Sequence, residues 1–245
     1  MSGHSKWSTI KRKKGANDQQ RAKIFTKIAR EIIVAVKAGG PDPTQNSKLR
    51  LLIQTAKNEN MPKENVDRAI KRAFEKDQSD YKEMVYEGRG PHGIAIMIEA
   101  ATDNNQRTVA NVRSYFNKLG GSLGTSGMLD FLFDHKCVFT FKKKDDMDMD
   151  DFILSIIDLG AEDEYDEDPE EGTLTIYGDP KSYSDIQKYL EENGFEDVGG
   201  EFTYIPNDLK DVTPAQRESI DKMVDKLEEF DDVQTVYTNM KPAEE

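Results

Sequence analysis

The sequence predicts an α+β protein with an N-terminal helical bundle followed by two α/β, ferredoxin-like domains, the first of them discontinuous. Hydrophobic residues recur at helical spacing up to about residue 76, and alternating strand and helix patterns begin near Tyr81. Charge divides at the same point, since residues 1–76 hold 18 Lys and Arg against 7 Asp and Glu. Residues 136–205 read strand–helix–strand–strand–helix–strand, which is the ferredoxin-like order.

The basic first segment begins with an arm, residues 1–16, that lacks helical periodicity. Three amphipathic helices are expected after it. Asn17 or Asp18 can cap the first, which runs to Ala38. The second spans about residues 49–58, and Pro62 suits the first turn of the third.

A strand-rich segment follows the bundle. Its pattern predicts, in order, a strand at 82–87, a turn at 88–93, a strand at 94–101, a helix at 104–119, a Gly/Ser loop at 122–127 and a short strand at 129–133. The tail adds one helix from Thr213 and one strand at 233–238, which cannot bury a core alone. We therefore expect the tail to complete the first α/β domain, with domains 1–76, 80–134 plus 207–240, and 135–206.

Composition excludes several classes of protein. The 245 residues have a formal charge of −13, and the longest apolar runs are five residues, too short for a membrane span. The N-terminus lacks a secretory signal, so we expect a cytoplasmic protein. With one cysteine and three scattered histidines, we expect neither a structural metal nor a cofactor.

Two sequence motifs resemble ligand-binding sites, but the residues around them do not fit those sites. Gly88, Gly90 and Gly93 match G-x-G-x-x-G, but both flanks read as strand, so a hairpin turn is expected. The acidic run after residue 145 resembles a calcium loop, but the positions that need Gly and Glu hold Asp151 and Ile157. A solvated acidic helix start is expected there. No nucleophile, base and orienting group form a recognisable set, so the protein is not expected to be an enzyme.

The net charge of residues 1–76 is +11, and that of the remaining residues is −24. This asymmetry favours a basic module that meets a polyanion, because Lys and Arg release counterions from phosphates. Trp7 either stacks on a base or anchors the arm on the bundle. The candidate phosphate ligands of the arm are Lys6, Lys11, Arg12, Lys13 and Lys14.

The sequence also allows predictions for two single residues and one loop. Arg107 lies in a helix first turn, where a cation opposes the dipole, so it is a candidate for holding a phosphate or a carboxylate. Cys137 lies in an apolar strand and is expected to be a buried, inert thiol. The Gly/Ser loop is either an anion cradle or a connector, and its candidate residues are Ser122, Gly124, Thr125, Ser126 and Gly127.

The strings GHSKW, KIFTK, NMPK and RAIKRA, followed by YEGRGPHG, TDNNQRTVANVR and GGSLGTSG, resemble the YebC/PmpR family. The resemblance implies a three-domain cytoplasmic protein, usually described as a DNA-binding transcriptional regulator. Related members act as translation factors on the ribosome. It further implies functional surfaces on the glycine loop and on the helical domain, where the matching bases are Lys23, Lys27, Arg30, Arg50, Lys63, Arg68, Lys71 and Arg72.

The expected function is therefore a nucleic-acid-binding regulator of gene expression, a DNA-binding transcriptional regulatory protein of the YebC type. One alternative is a ribosome-associated translation factor that relieves stalling, for example at proline runs, through contact with ribosomal or transfer RNA. Another is a protein–protein adaptor whose acidic domain docks basic partners. Since no zipper heptads are present, a monomer is expected.

Overall fold

The computed structural model describes residues 18–75, 81–144, 146–195 and 198–243. This part of the chain contains seven α-helices and two four-stranded sheets, so the α+β class is confirmed. It divides into two compact units. One comprises residues 134–205, and the other comprises the described residues on either side of that stretch. The three domain boundaries expected from the sequence stay a prediction.

The elements follow one another in a simple order. They are α1 (Asp18–Gly39), α2 (Ser47–Asn58), α3 (Lys63–Arg72), β1 (Lys82–Arg89), β2 (Ala95–Thr102), α4 (Asn105–Lys118), β3 (Ser122–Leu123), β4 (Phe133–Lys142), α5 (Met149–Ile157), β5 (Ala161–Asp168), β6 (Thr173–Gly178), α6 (Tyr183–Glu192), β7 (Gly199–Pro206), α7 (Pro214–Glu228) and β8 (Val233–Thr238).

The bundle helices form because their buried residues recur on one side. In α1, Ile28, Ile32 and Val36 are at most 2% exposed and lie four residues apart. Asn46 caps α2, since its side chain accepts a hydrogen bond from the Leu49 N–H at 3.0 Å. The same side chain donates to the Ala35 carbonyl at 2.8 Å, which ties α2 to α1.

Strands β1 and β2 form an antiparallel hairpin. The chain reverses through a 3₁₀ turn at Pro91–Gly93, where His92 has a φ of +58°. Strand flanks the glycine motif on both sides, so the predicted hairpin turn is confirmed and the helix that a dinucleotide site needs is absent here.

The expectation of a separate short strand at 129–133 was wrong, because residues 129–132 form a turn and Phe133 is the first residue of β4. The N–H groups of Leu132 and Phe133 both donate to the Leu129 carbonyl, at 2.8 and 3.2 Å, so the chain turns instead of extending. Strand β3 lies within the predicted loop and pairs with Gly88 and Arg89 of β1.

The tail contributes a helix and a strand to the first sheet. Strand β8 pairs antiparallel with β2, which gives the order β3-β1-β2-β8. A capping box between Thr213 and Gln216 starts α7, as Thr213 and Pro214 predicted. The core between this sheet, α4 and α7 is formed by Ile94, Ile96, Ile98, Val112, Phe116, Ile220, Met223, Leu227 and Val233.

The unit of residues 134–205 has the predicted element order, with its strands arranged β5-β6-β4-β7. Aromatic side chains fill its core, and the ring centroids of Phe141 and Phe152 lie 5.9 Å apart. The Asp148 carboxylate caps α5 by accepting the N–H groups of Asp150 and Asp151, at 3.1 and 3.2 Å. The predicted acidic helix start is confirmed.

Cys137 is fully buried in β4, and its Sγ donates to the Asp179 carbonyl at 3.1 Å. Burial raises the pKa of this thiol to about 12. We therefore expect alkylation by iodoacetamide at pH 8 to be at least about a thousandfold slower in the folded protein than in urea, because the thiolate is scarce. Equal rates in both conditions would contradict a buried thiol.

The same raised pKa sets a direction for stability. The folded state keeps the Cys137 proton at a pH where the unfolded thiol has lost it. This contribution is fully present below about pH 8.5, the ordinary pKa of a free thiol. It is lost as the pH rises towards 12.

Candidate nucleic-acid interface

The predicted phosphate ligands fall into two groups. The arm residues Lys6, Trp7, Lys11, Arg12, Lys13 and Lys14 lie outside the described residues, and their contacts stay predictions. The eight bases on the bundle helices lie within them. Their surroundings differ from one helix to the next, so each helix is considered separately.

Helix α3 presents its bases outward. Val66 and Ala69, on its inner side, are 7% and 2% exposed. The basic side chains lie on the exposed side, and Glu64 and Asp67 share it. Lys71 and Arg72 occupy the last turn, where cations complement the helix dipole. The four predicted ligands on this helix are Lys63, Arg68, Lys71 and Arg72.

Three bases of α3 have no ion-pair partner among the described residues. Lys63, Arg68 and Lys71 form no ion pair with another residue in the described part of the chain. An exposed cation without an ion-pair partner is available to a phosphate group. Helix α3 is thus the part of the described bundle best suited to bind a polyanion.

The bases of α1 are divided between solvent and the interior. Lys23 is exposed. Lys27, one turn later, donates from Nζ to the Glu228 carbonyl at 3.1 Å. The Arg30 guanidinium donates to the Asp232 carboxylate at 3.1 Å and also to the Asp231 carbonyl. Lys27 and Arg30 therefore have partners at the end of α7 and in the turn that follows it, and their predicted contact with phosphate stays a prediction.

Arg50 of α2 is only partly exposed. Lys48, on the same helix, forms an ion pair with Glu83 of β1 in which the side chains are 37% and 54% exposed. Such surface pairs contribute little to stability, at most about 1 kcal/mol. Among the eight predicted ligands of the bundle, the exposed ones are therefore Lys23 and the four bases of α3.

Buried Asp232 is the centre of a polar group, which we call the Asp232 cluster: Asp232, Arg30, Arg107, Thr102 and Thr108. The Asp232 side chain is 4% exposed. One carboxylate oxygen accepts from Arg30, and the other accepts from the Thr108 hydroxyl at 2.7 Å and from Arg107 at 3.1 Å. The cluster joins α1 to β2 and α4.

Arg107 binds carboxylates, one of the two roles predicted for it. It donates to Asp103 at 2.8 Å as well as to Asp232. The hydrogen bond to Asp232, followed by that to Asp103, raises the pKa of the guanidinium above its ordinary value. Burial raises the pKa of Tyr86, with a further contribution from the negative charge of Asp232. Sequence reasoning missed Asp232, because its partners lie far away in the chain.

The Gly/Ser loop is held by a buried carboxylate. Glu87 of β1 is 4% exposed, and its two oxygens accept the N–H groups of Gly127 and Leu129, each at 2.7 Å. Its backbone carbonyl accepts the Gly124 N–H at 2.8 Å. The loop therefore wraps an anion that belongs to the chain itself. The side chains of Ser122, Thr125 and Ser126 are exposed, and a role for them in binding stays a prediction.

Close packing beneath this loop requires a glycine. A Cβ on Gly88 would lie 2.5 Å from the Phe116 ring and 2.7 Å from the Ser122 carbonyl oxygen. Neither approach is possible for a real side chain, and the carbonyl belongs to the backbone. Gly88 therefore allows β3 to pair with β1 beside α4.

Sequence reasoning also missed two exposed aromatic residues. Phe74, just after α3, is 63% exposed, and Phe131, in the turn that replaced the predicted strand, is 71% exposed. The helical repeat contained a signal for Phe74, because it lies off the inner side defined by Val66, Ala69 and Ala73.

No group of three or more His, Cys, Asp or Glu in the described residues could hold a metal ion. The same part of the chain has no helix that is long and apolar enough to cross a membrane.

Two family models match the sequence. The first, described as the TACO1/YebC protein N-terminal domain, matches residues 5–76. The second, described as the TACO1/YebC second and third domain, matches residues 81–240. Together they cover the basic segment and nearly all of the acidic remainder.

Curated relatives extend along most of the chain. A protein from Phocaeicola vulgatus named "Probable transcriptional regulatory protein" is 69% identical over 224 residues, which are 91% of each chain. A protein of the same name from Flavobacterium johnsoniae is 50% identical over 90% of this chain and 91% of its own. The crystal structure of a conserved hypothetical protein from Aquifex aeolicus is similar, with a TM-score of 0.78, 37% identity and coverage of 98% of each chain.

Proposed function

Because the chain belongs to the TACO1/YebC family, we propose that it is a nucleic-acid-binding regulator of gene expression. The observation that carries the proposal is the outward set of bases on α3, of which Lys63, Arg68 and Lys71 lack an ion-pair partner in the described part of the chain. Duplex DNA is the first target, in keeping with the names of the curated relatives. The protein acts by binding and catalyses no reaction.

The binding mode is contact with the phosphate backbone. A helix that reads base edges typically presents Arg, Asn or Gln side chains to the major groove. Helix α3 instead carries Glu64 and Asp67 on the side that holds its bases. Contacts to phosphate tolerate this mixture and carry no sequence information of their own. The affinity then depends steeply on salt, because counterions are released.

A ribosome-associated translation factor is the second candidate. Exposed Phe74 beside Lys71 favours it, because aromatic side chains stack on unpaired bases, which structured RNA displays and duplex DNA conceals. Co-sedimentation with ribosomes and a gel shift on promoter DNA, both at moderate salt, compare the two targets directly.

Charge reversal tests the proposal. The variant that converts Lys11, Arg12, Lys13, Lys14, Lys71 and Arg72 to Glu should lose binding to both duplex DNA and ribosomes. Removing one phosphate-binding cation should also reduce the slope of log affinity against log salt by about 0.9 on duplex DNA. Fluorescence anisotropy over a salt series measures both quantities.

The unit of residues 134–205 offers a control for the two α3 substitutions. Lys181 and Lys188 are exposed, and converting both to Glu gives the same charge change as converting Lys71 and Arg72. The control should retain nearly all of the affinity. If the six-residue variant kept every polynucleotide association, or if the control weakened binding equally, the proposal would be wrong.

A further inference from the structure

Phe74 lies directly beyond α3 and leaves 63% of its surface in solvent. Its ring makes no ring–ring or cation–π contact with another described residue. A single exposed apolar side chain is ordinary on a protein surface, so exposure alone assigns no role to it. The position and surroundings of Phe74 are what distinguish it.

The backbone holds Phe74 on the side of the helix that carries Lys71. The N–H groups of Ala73, Phe74 and Glu75 each donate to the carbonyl three residues earlier, at 3.3, 3.0 and 3.3 Å. Bonds of this 3₁₀ type give about three residues per turn, so side chains three apart lie above one another. Phe74 therefore lies over Lys71, in a turn that is hydrogen-bonded to the helix.

The charges that directly precede Phe74 along the chain are all positive, and Glu75 follows it. The stretch from Arg68 to Phe74 holds three bases and no acid. Arg68 and Lys71 are exposed and have no ion-pair partner among the residues that the structure describes. An exposed ring flanked by such cations matches a nucleotide, which offers a flat base and an adjacent phosphate.

We propose that Phe74 stacks on an unpaired RNA base while Lys71 and Arg68 contact the neighbouring phosphates. The inference rests on the proposed nucleic-acid binding, favours its second candidate, the ribosome-associated factor, and specifies the ligand of this surface as single-stranded or looped RNA. In a duplex both faces of each base are already stacked, whereas an unpaired base in an RNA loop can be splayed onto an aromatic ring. This surface selects unpaired RNA over paired nucleic acid.

The experiment compares full-length wild-type protein with Phe74→Ala by fluorescence anisotropy. Three probes are used: a labelled single-stranded RNA of mixed sequence, the same strand annealed to its complement, and the same strand with abasic sites. Phe74→Ala should weaken binding to the intact single strand by about 5- to 150-fold, the range measured for loss of one base–aromatic stack. The duplex and the abasic strand should lose less than about twofold, since neither offers a free base.

Phe131→Ala is the matched control. This side chain is 71% exposed, and no base lies between residues 119 and 134. The Phe131→Ala substitution removes the same type of ring from a segment without bases, and it should leave the affinity for each of the three RNA probes unchanged. Phe74→Trp should retain single-strand binding, because indole also stacks. Circular dichroism and a thermal scan verify that each variant is folded.

Lys71→Glu separates failure of this inference from failure of the proposed function, since it should weaken binding to all three probes. If Lys71→Glu weakens binding and Phe74→Ala does not, the stacking assignment is overturned and the proposed function stands. If neither has an effect, the stacking assignment falls together with the phosphate-binding role of α3 in the proposed function. An equal loss on all three probes with Phe74→Ala also overturns stacking.

Discussion

Replacing Asp232 with Ala should lower the free energy of unfolding by about 3 kcal/mol. The substitution removes the carboxylate that accepts hydrogen bonds from Arg30, Arg107 and the Thr108 hydroxyl. Arg30 is the more costly loss, because its side chain is 15% exposed and a buried cation without a counter-charge is unfavourable. Urea unfolding followed by circular dichroism measures the change.

Asp231→Ala is the control for this prediction. Asp231 is the preceding residue and has an exposed side chain, and only its backbone carbonyl contacts Arg30. It should change the free energy of unfolding by less than about 0.5 kcal/mol. A double-mutant cycle with Arg30→Met then isolates the coupling between Arg30 and Asp232. Equal effects of Asp231→Ala and Asp232→Ala would show that the Asp232 cluster does not hold α1 in place.

Replacing Glu87 with Ala should release the Gly/Ser loop and lower the free energy of unfolding by about 3 kcal/mol. The buried N–H group of Leu129 and the partly buried N–H group of Gly127 would lose their charged acceptor. Glu87→Gln should cost about 1–2 kcal/mol, because its amide nitrogen cannot accept the second N–H. Hydrogen exchange at Gly127 and Leu129 should accelerate in both variants.

The control for Glu87 is on the same strand. Glu83 lies four residues earlier, hence on the same face of β1, and its exposed side chain pairs only with Lys48 among the ion pairs of the described residues. Glu83→Ala should cost less than about 1 kcal/mol and leave the exchange of the loop amides unchanged. Unaltered exchange at Gly127 in Glu87→Ala would refute the role assigned to this carboxylate.

Local patterns were sufficient for much of the fold. The repeat of Val66, Ala69 and Ala73 defines the inner side of α3 and thus its exposed bases. The strand flanks of Gly88 and Gly93 identified a hairpin. Both are properties of consecutive residues, and hydrophobic periodicity and turn chemistry act at that range.

Long-range partners could not be predicted in this way. Lys23 and Arg30 carry similar charge on the same helix, yet only Arg30 meets an acid 202 positions away. The Gly/Ser loop had two open interpretations, and neither included its contact with Glu87, a carboxylate 40 positions before Gly127. The hydrophobic periodicity of a strand does not reveal that an acidic side chain in it is buried.

The predicted strand at 129–133 shows the limit of the alternation rule. Leu129 and Leu132 are buried and Phe131 is exposed, a sequence of apolar residues that reads as an extended segment. The Leu129 N–H bonds to Glu87 instead of to a neighbouring strand, so the chain turns at this point. A side-chain acceptor from elsewhere in the chain outweighed the local β-propensity.

The pairing of β8 with β2 has a consequence for how the molecule is made. Residues 95–102 leave the ribosome about 130 positions before their neighbour at 233–238. During translation one edge of β2 therefore lacks the backbone hydrogen bonds that β8 later provides. An exposed apolar strand edge can pair with another chain and aggregate. The contact also spans most of the chain, which slows its formation through loop-closure entropy. Nascent chains that are stalled before residue 233 should therefore engage chaperones until the last strand emerges.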